Sequence, residues 1–117
     1  MKTFSAMLFT ISLLLLPNIS FAIQFGCNGK IAVLLVMPGD DVAVKLTGST
    51  LNPYVCNVTK QGKYTISPTA CKMIYDTLLS AKLTGSTVNI YYDDPVLTCN
   101  TLPDWKPAYS AFTVGIN

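Results

Sequence analysis

The sequence predicts a small, mainly β domain with one α-helix, stapled by disulfides, and three observations lead there. Met1, Lys2, an apolar run from Ala6 to Leu16 and the small-residue ending Ser20-Phe21-Ala22 read as an export signal cleaved before Ile23. All four cysteines, Cys27, Cys56, Cys71 and Cys99, lie beyond that cut, where oxidants can pair them. One window alone carries helical apolar spacing. The other apolar runs are short, rich in β-branched residues and separated by turn residues.

The leader is too short to span a membrane, because Pro17 and Asn18 interrupt it before the roughly 20 apolar residues a spanning helix needs. Residues 1–22 are therefore expected to be removed. Residues 23–117 remain as one domain, secreted or periplasmic, with no membrane insertion. A domain of that size buries a modest core, so covalent staples add usefully to its stability.

Lys30 to Met37 reads as a first strand, and Pro38-Gly39-Asp40-Asp41 as a turn that returns the chain into Val42 to Leu46. A polar connection through Asn52-Pro53 leads to a third short strand, Tyr54 to Val58. Ser67-Pro68 announces a helix: Ser caps free backbone amides, and Pro is tolerated at the first helical position. The helix is expected over 68–84, with Cys71, Ile74, Tyr75, Leu78 and Leu79 as its apolar stripe and Gly85 as its stop. Thr87 to Tyr92 reads as a fourth strand. A turn-rich stretch, 93–107, precedes a last strand, Ser110 to Ile116.

The string Lys-Leu-Thr-Gly-Ser-Thr occurs at Lys45 to Thr50 and again at Lys82 to Thr87. One copy ends a strand and the other a helix, so it reads as coincidence rather than a repeat architecture. Asn57-Val58-Thr59 fits a glycosylation acceptor, which matters only in a eukaryotic secretory route.

The charged residues exclude several classes of function. Seven Lys and six Asp after residue 22 leave a net charge near +1, which is no electrostatic footprint for nucleic acid. The chain contains no His, Glu or Arg. A His-based triad, a His-rich zinc site and a bidentate Arg clamp are excluded, and no Asp, Lys or Tyr sits in a recognisable acid–base arrangement. No enzyme activity and no cofactor are expected. Asp93-Asp94, placed before Pro95, reads as a solvated turn rather than a calcium site.

Four cysteines permit three pairings, and the sequence alone does not choose among them. Geometry favours one: Cys71 on the first helical turn and Cys56 in the preceding strand would staple helix to sheet. That leaves Cys27 with Cys99. A Cys₄ zinc site lacks any C-x-x-C spacing.

The order of these elements is the pattern of a small five-stranded OB-like barrel, and the residues resemble the pentameric B subunits of bacterial toxins, those of subtilase cytotoxin and its pertussis-like relatives. The matching pieces are Asn52-Pro53-Tyr54-Val55-Cys56, Ile66-Ser67 to Ala70-Cys71-Lys72-Met73, and Thr84 to Tyr92. They cover about half of the mature chain, and the spacing of Cys56 and Cys71 is similar to that family's disulfide. A fuller resemblance, over nearly the whole mature length, is to small exported proteins of Gram-negative bacteria. It is carried by Cys27-Asn28-Gly29, Ser67-Pro68-Thr69-Ala70-Cys71-Lys72 and Cys99-Asn100-Thr101-Leu102-Pro103-Asp104-Trp105.

The toxin resemblance implies a glycan-binding site and a ring-shaped homo-oligomer, a pentamer with its helices around a channel. In the subtilase type a Ser early in the first strand and the second Tyr of the Ile-Tyr-Tyr run line the sugar pocket. Here Tyr92 occupies the Tyr position, while the Ser position holds Asn28, which both donates and accepts hydrogen bonds. Trp105, in its Pro-rich loop with Tyr109 close by, is the third candidate: either an exposed platform for a sugar ring or, preferred, a cap over one end of the barrel. The expected partner is a cell-surface glycan. The alternative is an envelope protein gripped by a sheet edge, with no glycan binding.

Overall fold

The computed structural model describes residues 24–117. The expected signal segment, 1–22, and its cleavage site lie outside them. The chain forms β1 (Gln24–Val36), β2 (Asp41–Leu46), β3 (Tyr54–Asn57), α1 (Pro68–Thr84), β4 (Thr87–Asp93) and β5 (Ala111–Ile116). The five strands make one antiparallel sheet in the order β3-β2-β1-β4-β5.

β1 begins six residues before the expected start at Lys30. Gly26, Asn28 and Gly29 have turn-like composition, yet residues 24–30 are held extended by pairing with β4, from Gln24 opposite Asp93 to Lys30 opposite Thr87. Beyond Ile31 the strand changes partner and pairs with β2, with an irregularity between Ile31 and Val33. One strand thus serves both halves of a bent sheet. Gly26 permits the close approach to β4: a Cβ there would stand 2.9 Å from Asn89 Oδ1 and 3.0 Å from the Tyr91 ring.

The β1–β2 connection is a tight turn closed by Asp40 N–H on Met37 O at 2.8 Å and Met37 N–H on Asp41 O at 2.7 Å, with Asp40 in the left-handed region. The two copies of Lys-Leu-Thr-Gly-Ser-Thr end different elements, β2 and α1, and in each the glycine, Gly48 or Gly85, has positive φ.

Helix α1 starts and stops on local signals. Ser67 is extended and its Oγ accepts the Ala70 N–H at 3.2 Å, Pro68 follows, and Gly85 at φ 68° lets Ser86 N–H return to Ala81 O at 2.9 Å. The buried stripe is narrower than the spacing suggests. Cys71, Leu78 and Ala81 are buried, Ile74 and Tyr75 pack partly against the core, and Leu79 faces out.

The core lies between α1 and the concave side of the sheet: Ile31, Val42, Val44, Val55, Leu78, Val88 and Ile90 are all buried. Two disulfides cross it, Cys56–Cys71 and Cys27–Cys99. The first ties β3 to the opening turn of α1; the second ties β1 to the loop before β5. The expected five strands and single helix are present, but the sheet is not closed. β3 and β5 share no ladder. Near β5 the gap is spanned by one parallel bridge, Tyr54 to Pro107, in which Tyr54 N–H donates to Lys106 O at 3.0 Å and Ala108 N–H to Tyr54 O at 2.8 Å.

Candidate functional site

A pocket of about 320 Å³ is lined by residues of β1, β2 and β4 and of two loops. Its apolar lining is Val44 and Leu46 from β2, Ile90 from β4, Leu51 and Pro53 from the β2–β3 connection and Leu102 from the loop before β5. The Cys27–Cys99 disulfide contributes to the wall. Asn28, Thr47, Ser49 and Asn100 supply polar groups, and Tyr92 completes the lining.

Tyr92 is the buried polar member, 1% exposed, and its ring stacks on Phe25 with centroids 5.2 Å apart and planes at 18°. Burial alone raises its phenol pKa well above the ordinary tyrosine value, with no hydrogen bond contributing. Its hydroxyl thus remains protonated at neutral pH and available as donor and acceptor. Thr47 Oγ1 accepts the Lys30 N–H at 3.2 Å and Ser49 Oγ accepts the Leu51 N–H at 3.1 Å, so each hydroxyl keeps its own proton to donate. Among the described residues, no lysine or aspartate lines this pocket.

Of the three sequence candidates, Asn28 and Tyr92 share this pocket and Trp105 does not. Trp105 is 45% exposed, at positive φ, in a loop docked on the β2–β3 connection: its N–H donates to Asn52 O at 2.9 Å, and the Asp104 carboxylate accepts the Asn52 N–H at 2.9 Å. So exposed a ring does not serve as the preferred cap. The contributions of Thr47, Ser49 and Asn100 were missed in the sequence. Their residue types signal loops, and nothing local says that two loops remote in sequence meet.

A second, shallower cleft lies near β5, lined among others by Lys63, Asp93, Asp94 and Ser110. Asp94 uses Oδ1 to accept the Val96 and Leu97 N–H groups at 2.8 and 2.9 Å, and these bonds, that from Leu97 first, lower its pKa. This is a turn stabilised by its own carboxylate, as Asp-Asp-Pro suggests. Among the described residues no cluster of three or more Cys or Asp is placed to hold a metal ion.

Asn57 is not available as a glycosylation acceptor. It is 7% exposed, its amide donates to Gly39 O at 2.9 Å and Asp41 Oδ1 at 3.1 Å, and its oxygen accepts the Thr59 and Lys60 N–H groups. A side chain so engaged holds the β1–β2 turn against the end of β3.

No known protein family, no curated protein sequence and no solved structure matches this chain significantly. Two disulfides fit an extracellular or periplasmic setting, and among the described residues no helix is long and apolar enough to cross a membrane.

Proposed function

We propose that the chain is an exported binding module, acting without catalysis, whose Asn28–Tyr92 pocket takes a carbohydrate of a cell surface. The supporting observation is that two positions singled out by the toxin B-subunit resemblance, far apart in sequence, line the same pocket. Its chemistry suits a sugar: an apolar wall, an aromatic residue with a polar tip and several groups that both donate and accept. Loops of OB-type domains, including the one between the fourth and fifth strands, commonly carry oligosaccharide contacts. Cys99, Asn100 and Leu102 of that loop line the pocket here.

The test is a broad glycan array probed with oxidised, processed protein, alongside an Asn28→Ala, Tyr92→Phe double variant. Binding that the double variant loses supports the reading. No binding above background, with the variant equal to the parent on cells, removes it.

A second reading is favoured by one observation: β5 pairs on one side only, with β4, and so leaves an edge for strand addition by an envelope protein. Light scattering after size exclusion separates the two. A pentamer, with exposed Met73, Leu79 and Leu83 of α1 buried between copies, favours the toxin-like reading; a monomer that captures one envelope protein favours the second.

A further inference from the structure

We infer that the pocket is selective for an uncharged terminal sugar and rejects sialylated and other acidic glycans; this rests on the carbohydrate reading of the same site.

The absence of charge in the lining is the first argument. The walls combine Val44, Leu46, Ile90 and a disulfide with neutral polar groups, and among the described residues neither a lysine nor an aspartate contributes. A carboxylate brought into such a space loses hydration and meets no cation to replace it. Hydrogen-bond capacity is the second. Tyr92, Thr47 and Ser49 offer hydroxyls, and Asn28 and Asn100 offer amides. Every one of these groups both donates and accepts, matching sugar hydroxyls, which do the same, whereas a carboxylate only accepts.

Tyr92 carries the third argument. Its ring packs on Phe25, and its hydroxyl makes no hydrogen bond to any described residue. A phenol hydroxyl with no partner among the described residues, at the pocket wall, is available to pair with a ligand hydroxyl. The volume, about 320 Å³, lies at the small end of ligand sites, which suits a terminal residue rather than a long chain.

The experiment is a glycan array of matched pairs, each galactose- or N-acetylglucosamine-terminated glycan beside its sialylated counterpart, probed with oxidised protein and with Tyr92→Phe. Neutral members should bind about tenfold better than their sialylated partners, and Tyr92→Phe should weaken them about tenfold, as the loss of one hydrogen bond implies. The variant's melting temperature should be unchanged or higher, since the hydroxyl it loses has no described partner; this separates ligand contact from folding. Equal or preferential binding of the sialylated members overturns the selectivity and leaves carbohydrate binding standing. Neutral binding indifferent to Tyr92→Phe overturns the assignment to this pocket. No binding to either member overturns the carbohydrate reading itself.

Discussion

Phe25 and Tyr92 stand directly opposite each other across β1 and β4, and their rings stack with centroids 5.2 Å apart. Phe25 is half-buried and forms one side of the slot that holds the Tyr92 ring. Phe25→Ala should therefore cost about 2 kcal/mol, less than the 3–5 kcal/mol of a fully buried Phe, with the stacking itself worth about 1 kcal/mol. Urea denaturation under oxidising conditions measures it. The released Tyr92 ring should also weaken ligand binding, although Phe25 does not line the pocket.

Alkaline pH should destabilise the domain through two tyrosines. Tyr92 is raised by burial; Tyr64 is raised by burial first and then by its hydrogen bond to Asp41 Oδ1 at 2.7 Å. In both, the folded chain keeps the phenol proton at a pH where the unfolded chain, near the ordinary value of 10.0, releases it. Their contribution is thus intact below that value and declines as pH rises above it, by up to about 1.4 kcal/mol per pH unit for each tyrosine. Denaturation curves between about pH 8 and pH 11 should show this decline, and Tyr92→Phe should flatten it. Tyr64→Phe should flatten it too, while costing about 1 kcal/mol at neutral pH through the lost Asp41 bond.

The two disulfides should contribute unequally. Cys56–Cys71 closes 15 residues and Cys27–Cys99 closes 72. Loop-entropy arguments give about 3 kcal/mol for the first and about 4.4 kcal/mol for the second. Paired Cys→Ala variants compared by denaturation check the order. Only the loss of Cys27–Cys99 should also impair ligand binding, because that bond lies in the pocket wall.

Asn57 should matter as an amide. Asn57→Ala leaves the Thr59 and Lys60 N–H groups and the Gly39 carbonyl without their partner, and should cost about 3 kcal/mol by denaturation. Secreted from a eukaryotic host, the protein should carry no glycan at Asn57, which intact-mass measurement tests directly. The sequon is real as a string, but its side chain is already occupied.

The helix was legible because its signals are local: Ser67 and Pro68 begin it, Gly85 ends it, and intervening hydrogen bonds close within one turn. The order and approximate bounds of the later strands followed from β-branched runs between turn residues. β1 was only half legible. Its first residues look like a turn and become strand because β4 supplies their hydrogen-bond partners. Asn28 and Tyr92 were singled out by resemblance, whereas Thr47, Ser49 and Asn100 carried no signal beyond a loop-like composition.

The amino-acid sequence by itself determined the element order, the limits of α1, the lack of His, Glu and Arg, and cysteines fit for pairing. Each depends on residue identity or on contacts within a few positions. The tertiary structure decided that β1 bends to serve two partners, that the sheet stays open between β3 and β5, that Asn57 is enclosed and that Trp105 stands apart from Asn28 and Tyr92. Those outcomes depend on which distant segments meet, since a strand's hydrogen bonds and a pocket's walls come from residues that its own neighbours do not specify.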